Sequence, residues 1–326
     1  MSGKFNNRIL LIVFIGLAGI LLLSRIFTAK KAERTLETNL VEIDTGRIST
    51  LHIFPQAEKG AELVFSRSGS GWVVTKEGGM TAPADNYSVD NALNDLINLK
   101  ADRLVARSED KWADYSVNDS LGTRVLIKEG KKTTLDLVIG RFNYQPPAGG
   151  YSGYGQQYGT GITYVRKSGE DEVYAVEGFL AMSFNQGFNN WRDQTISRLT
   201  RDQITKIIFE YPADSGFVAQ KLDEQWTIKG LPADSTSMAK YLNGMSRKSH
   251  REFADDFTPL SSPPFQVTFE GMNMEPLLIR VYVRDGGELI LHSSINPESY
   301  FMINRDGLFK DIFKSYSSFI SGTGSG

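Results

Sequence analysis

The sequence predicts an α+β fold of two tandem repeats, each a mostly antiparallel sheet with helices laid on it, preceded by one transmembrane helix. Three observations carry this prediction. A strand pattern ending in a tryptophan hairpin occurs twice, the tripeptide Pro-Ala-Asp opens a helical stripe twice, and a run of sixteen residues near the N-terminus carries no charge. Alternating apolar and polar residues mark strands with one wet face, whereas a period of three to four marks a helix with one buried stripe.

Composition sets the outer limits. At 326 residues and 40% hydrophobic content, the chain can bury one large core or two ordinary ones. Its 36 basic and 38 acidic residues leave a net charge of −2. Without a basic excess to neutralise phosphates, nucleic acid is not an expected partner. Cysteine is absent, which removes disulfides, thiolate metal sites and cysteine nucleophiles together.

Residues 1–8, with Lys4 and Arg8, form a polar start expected on the cytoplasmic side. The uncharged run follows as "ILLIVFIGLAGILLLS", Ile9–Ser24. At about 1.5 Å per residue it gives roughly 24 Å of helix, slightly short of a bilayer core. Snorkelling of Arg25 lets Ile26–Ala29 finish the span, so the anchor is expected over residues 9–29. A cleaved signal peptide fits less well, because "SRIFTAK" places bulky Phe27 where cleavage needs a small residue. Arg25, Lys30, Lys31 and Arg34 follow the span, yet long domains translocate with little regard to charge. The expected location is therefore the inner (cytoplasmic) membrane, single-pass, with the large C-terminal domain periplasmic. Residues 30–45 read as a polar tether.

The first repeat is expected over 46–190 and the second over 191–316, with a flexible tail at 317–326. "ISTLHIF" (Ile48–Phe54) and "AELVFSRSGSGWVV" (Ala61–Val74) alternate as a hairpin bearing Trp72. "ITKIIFEY" (Ile204–Tyr211) and "SGFVAQKLDEQWTI" (Ser215–Ile228) repeat the pattern with Trp226. Pro83-Ala84-Asp85 and Pro232-Ala233-Asp234 each supply an aspartate suited to cap a helix N-terminus. Counting four, seven, eight and eleven from Asp85 gives Val89, Ala92, Leu93 and Leu96; the same count from Asp234 gives Met238, Tyr241, Leu242 and Met245. Both sets form one stripe in the same register from the cap.

Strands then recur in pairs. "TRVLIKEGKKTTLDLVIG" (Thr123–Gly140) matches "FQVTFEGMNMEPLLIRVYVR" (Phe265–Arg284), and "TYVRKSGEDEVYAV" (Thr163–Val176) matches "ELILHSSINPESYFMI" (Glu288–Ile303). Each half ends in a helical stretch, "EGFLAMSF" or "DGLFKDIFKSY". Each repeat thus reads as hairpin, helix, four strands, helix. "NNWRDQTISRLTRDQ" is expected to join them.

The ordered motifs are a tryptophan hairpin, "PAD" opening a helix, "IG" (Ile139-Gly140) closing a strand, "TYVRKSGEDEVYAV" and "WRD" (Trp191–Asp193). Together they resemble an uncharacterised bacterial domain family, over roughly residues 40–315. The resemblance implies an N-terminal membrane anchor, a duplicated α+β module and, for some members, a gene beside gliding-motility-type auxiliary components of ABC transporters. It implies no catalytic residue.

A search for chemistry yields no catalytic, cofactor-binding or metal-binding residue to expect. His52, His250 and His292 belong to no metal-ligand spacing, and His52 and His292 alternate with apolar residues as wet-face strand positions. Around Ser152, "GYSGYG" has Tyr154 where a nucleophile elbow needs its last glycine. "DYSVNDSLG" (Asp114–Gly122) imitates a calcium loop, but Asp119 and Val125 stand at the positions of its glycine and bidentate glutamate. Trp72 and Trp226 are expected in core packing. "SRKSHREFADD" (Ser246–Asp256) reads as a surface run of alternating sign.

One stretch stands apart. "YQPPAGGYSGYGQQYGTGITY", Tyr144–Tyr164, crowds glycines and tyrosines with almost no aliphatic company. Such a mixture serves either as slack between strands or as an adaptable contact loop. Tyr144, Tyr151, Tyr154, Tyr158 and Tyr164 are its candidate contact residues. The expected function is a membrane-anchored, non-enzymatic envelope protein acting as accessory or scaffold to a membrane complex, with protein partners. The alternatives are a glycan- or ligand-binding module using the 144–164 loop, and a hydrolase with a dispersed site.

Overall fold

The computed structural model describes residues 40, 41, 43–145 and 160–320. The expected anchor at 9–29, the tether residues 30–39 and 42, Tyr151, Tyr154, Tyr158 and residues 321–326 lie outside them. Among the described residues no helix is long and apolar enough to cross a membrane.

The chain begins with strands β1 (Thr50–Phe54), β2 (Leu63–Ser68), β3 (Gly71–Lys76) and β4 (Thr81–Pro83), then helix α1 (Asn86–Ile97) and strand β5 (Ala101–Ala106). After the one-turn helix α2 (Trp112–Tyr115) come β6 (Thr123–Glu129), β7 (Lys132–Gln145), β8 (Thr160–Lys167) and β9 (Val173–Glu177). Short helices α3 (Leu180–Phe184) and α4 (Phe188–Trp191) follow, then β10 (Thr195–Arg198). Next are β11 (Ile204–Glu210), β12 (Phe217–Leu222), β13 (Gln225–Ile228) and β14 (Leu231–Pro232), helix α5 (Ser235–Met245) and β15 (Arg247–Ser249). The last elements are β16 (Phe265–Gly271), β17 (Leu277–Val283), β18 (Leu289–Ser293), β19 (Asn296–Ile303) and α6 (Lys310–Ile312).

These elements make an α+β protein dominated by antiparallel sheet. A nine-stranded sheet runs β4-β3-β2-β1-β6-β7-β8-β9-β5, and an eight-stranded sheet runs β14-β13-β12-β11-β16-β17-β18-β19. Adding ten to each of the first eight labels of one order gives the other. β5 closes the edge beside β9, whereas β15 pairs with β10 in a separate two-stranded ribbon. The short strands β4, β5, β10, β14 and β15 add to the simpler element order expected from the sequence. Four of them have only two to four residues, and the six-residue β5 has no alternating burial and a shifted register.

The residues group into two compact units. One takes the chain through Arg67 together with Tyr87–Gly187; the other takes Ser68–Asn86 together with the chain from Phe188 onward. In the first unit the helical stripe is buried as its spacing predicts: Val89, Ala92, Leu93 and Leu96 are all buried, as are the strand residues Leu51, Ile53, Leu63 and Phe65. A second cluster joins Val117, Val138, Ile162, Tyr164 and Val173, with Trp112 and Tyr115 of α2 packed against it. The polar turn Asp114–Gly122 thus belongs to a cover over the sheet. Arg166 is pinned beneath that cover, with Nε donating to Val117 O at 3.0 Å and its guanidinium 3.7 Å from the Trp112 ring centroid.

Gly140 shows why this cover needs a glycine. A Cβ there would lie 2.2 Å from Tyr115 O and 2.6 Å from Val117 Cγ1. The strand does not close at Ile139-Gly140, as the sequence led us to expect. Pairing slips between Ile139 and Phe142, and β7 then runs on to Gln145.

In the second unit, Met238, Tyr241, Leu242 and Met245 of α5 share one core with alternate residues of β11, β16, β17 and β18. Asp234 caps α5, accepting from Ser237 N at 2.7 Å. "WRD" proves to be more than a connector. Arg192 forms a bridge with Ala84, Asp85 N donates to Trp191 O at 2.8 Å, and Asp193 N donates to Pro83 O at 2.8 Å. The "PAD" and "WRD" motifs are therefore hydrogen-bonded to each other. The segment read as a surface charge run supplies the partners of a buried cation: Arg192 Nη1 meets the exposed Asp255 at 2.8 Å, and its guanidinium lies 3.5 Å from the Phe253 ring centroid.

Candidate functional site

The residues flanking the Tyr/Gly stretch are set by two paired strands. Opposite each other stand Phe142 and Thr163, Asn143 and Ile162, Tyr144 and Gly161, and Gln145 and Thr160. Side chains alternate across a strand, so Phe142 and Tyr144 share one face. Helix α3 contributes the other half of that face. It buries Leu180 and Phe184, four residues apart, and so turns Phe179 and Met182 outward. Phe142 and Phe179 stack with ring centroids 5.2 Å apart and planes at 26°.

Gly161 makes this stack fit. A Cβ at that position would stand 2.6 Å from Phe142 Cε2 and 3.1 Å from Phe179 Cε1. The result is an apolar patch at the root of the hairpin, with Tyr144 54% exposed, Phe179 50% and Met182 58%. Isolated exposed apolar residues are ordinary; here Tyr144 and Met182 accompany a stacked pair whose Phe179 is itself half exposed. Aromatic rings and methionine are the side chains enriched at the centres of protein interfaces, and the thioether adapts to its neighbour's shape.

Of the candidate contact residues, Tyr144 lies on this patch. Tyr164 is instead buried, its ring 4.7 Å from that of Tyr115, with the Arg141 guanidinium 5.6 Å from its centroid. It packs within the fold and offers no surface. Tyr151, Tyr154 and Tyr158 lie outside the described residues. Sequence reasoning missed Phe142, Phe179 and Met182. The i, i+4 spacing of Leu180 and Phe184 held the signal for Met182, since it sends the residues between them outward; Phe179, at the helix N-cap, had no such signal.

A second feature crosses the eight-stranded sheet. Glu210, Gln266, Arg280, His292 and Tyr300 face one another across five successive strands. Arg280 Nε donates to Gln266 Oε1 at 2.8 Å, and Gln266 Nε2 donates to Glu210 Oε2. His292 sits on the outward face, as expected, but is only 9% exposed, its ring 4.9 Å from that of Tyr300. Its Nε2 lies 3.1 Å from Pro297 O, while Nδ1 is buried without a partner. Burial holds the His292 pKa below the usual histidine value; the Pro297 carbonyl opposes that shift and nearby Arg280 adds to it. Among the described residues no group of three or more His, Asp or Glu side chains is placed to hold a metal ion.

Comparison with protein families gives one match. The chain fits the model of a domain of unknown function (DUF4340) over residues 72–263, more than half its length. It belongs to that family. No curated protein and no solved structure matches it.

Proposed function

We propose that this protein is a membrane-tethered binding module of the cell envelope. In this reading, the patch at the root of the β7–β8 hairpin docks a protein subunit of a membrane complex. The carrying observation is the exposed set Tyr144, Phe179 and Met182 around the Phe142 stack. Side chains of this kind bury roughly 150–250 Å² each, so three half-exposed ones supply about 300 Å². A standard interface needs about 800 Å² per partner, so the patch would be the centre of a larger contact.

Two further elements complete the reading. The uncharged run Ile9–Ser24 supports an anchor that keeps the body beside the bilayer and raises its effective concentration for other membrane components. An internal duplication is supported by the matching strand orders of the two large sheets. It is supported also by equivalent backbone bonds, Ala84 N to Trp72 O and Ala233 N to Trp226 O, then Asp85 N to Trp191 O and Asp234 N to Phe319 O.

The test is detergent extraction of the tagged full-length chain, followed by identification of co-purifying membrane subunits. A transporter or motility subunit is expected with the native chain and is lost in Phe179→Ser/Met182→Ser. Retention of that subunit by the double variant would remove the patch from the proposal.

A further inference from the structure

We infer that the second unit carries a saccharide-binding pocket, separate from the hairpin patch, under the indole of Trp226. A cavity of about 350 Å³ opens where the β12–β13 hairpin overhangs α5. That volume suits one or two pyranose rings and falls within the usual range for small-ligand sites. Trp226 forms part of its wall, above a floor whose residues Ile204, Met238 and Leu242 are buried in the core. Trp226 and Lys221 are cross-strand partners. They point toward the helix because Ile228 and Ala219, two residues along each strand, are fully buried on that side.

Trp226 is only partly buried, unlike Trp72, which makes the same backbone bond to its Pro-Ala-Asp segment and is 3% exposed. An indole face left open beside a cavity is a stacking surface for the C–H face of a sugar. The rim supplies the polar half of such a site. Lys221 is tied to Glu224 at 2.6 Å, whereas Arg201 and Asp202 hold no ion pair among the described residues. A guanidinium and a carboxylate on one rim can donate to and accept from the hydroxyls of a sugar. Because the four rim charges cancel, the site favours a neutral polyhydroxylated ligand over an anion or a cation.

The test is saturation-transfer NMR on the full-length chain in detergent, with cellotetraose and tetra-N-acetylchitotetraose as probes and glycine and dialanine as zwitterionic competitors. Transfer to ring protons of at least one sugar is expected. Its Kd should rise at least about tenfold in Trp226→Ala and in Arg201→Gln/Asp202→Asn. The second variant changes only exposed rim side chains, so it remains informative if the first fails to fold. Removal of residues 146–159 should leave sugar binding unchanged. The inference is overturned by absent transfer from both sugars, by unchanged affinity in the rim variant, by displacement with the zwitterions, or by loss of binding in the hairpin deletion.

Discussion

The Arg192–Asp255 contact makes an asymmetric prediction. The Arg192 side chain is 3% exposed and that of Asp255 33%. Burial pulls the Arg192 pKa below the usual arginine value, and hydrogen bonding to Asp255 opposes it. In Asp255→Asn the guanidinium stays buried but loses its counter-charge. Breaking a buried pair this way costs roughly 3–5 kcal/mol, and the partial exposure of Asp255 places the expected loss near about 3 kcal/mol. Arg192→Met removes the cation and leaves a carboxylate that water reaches. It forfeits stacking on Phe253, worth about 1 kcal/mol, but also removes Nε, a buried donor without a partner. The net loss is about 1 kcal/mol, and the double variant should cost no more than Arg192→Met alone. Urea unfolding of the full-length chain, with transitions assigned to each unit, measures all three. If Arg192→Met proves as costly as Asp255→Asn, or the two effects add, the reasoning about an uncompensated buried charge is wrong.

Two glycines should respond in opposite directions. Gly140→Ala drives a methyl against the Tyr115 carbonyl and should cost about 3 kcal/mol, the upper part of the range for overpacking. Gly244→Ala meets nothing within 4 Å in α5 and should stabilise by about 0.5–1 kcal/mol, with both read from urea midpoints. His292 predicts a pH dependence. Its folded pKa lies below the unfolded value, so its contribution is fully present above the ordinary 6.5 and is lost as pH falls through the lowered folded value. Melting curves from pH 7.5 downward should show the native chain losing more stability than His292→Asn over that window; parallel curves would refute the assignment.

The parts of the fold legible in the sequence were those with a repeating burial demand. Both helical stripes and the β6–β7 and β16–β17 pairs follow from periodicity, because β6, β17 and both helices bury one face; β8, β9 and β18 are buried on both faces and show instead as apolar-rich runs between turns. What was not legible depended on partners distant in sequence. Nothing around Asp114 says that α2 folds over Val138 and Tyr164, and nothing around Asp255 says that Arg192 will reach it. Tyr164 illustrates the same limit: it ends the Tyr/Gly-rich stretch, so the sequence groups it with that stretch's tyrosines, while Tyr115 and Arg141 enclose it from elsewhere. Phe179 and Met182 were hidden by a related cause, since an amphipathic turn does not announce what stands beside its outward face.

On the duplicated reading, both candidate sites fall where the two halves differ. β7 has 14 residues and stays paired with β8 as far as Gln145 and Thr160, whereas β17 has 7 and turns back within Arg284–Glu288. Trp72 is sealed, whereas Trp226 borders a cavity. A scaffold residue such as Asp234 answers to the same demand in both copies, because a helix N-terminus always leaves amides to satisfy. A half-exposed Phe179 or a partly exposed Trp226 answers to no such demand. Side chains that expose ring area without a structural return are therefore the places to look for a ligand. By the same logic, the buried contacts of Arg166 with Val117 and Trp112, and of Arg192 with Asp255 and Phe253, point to architecture.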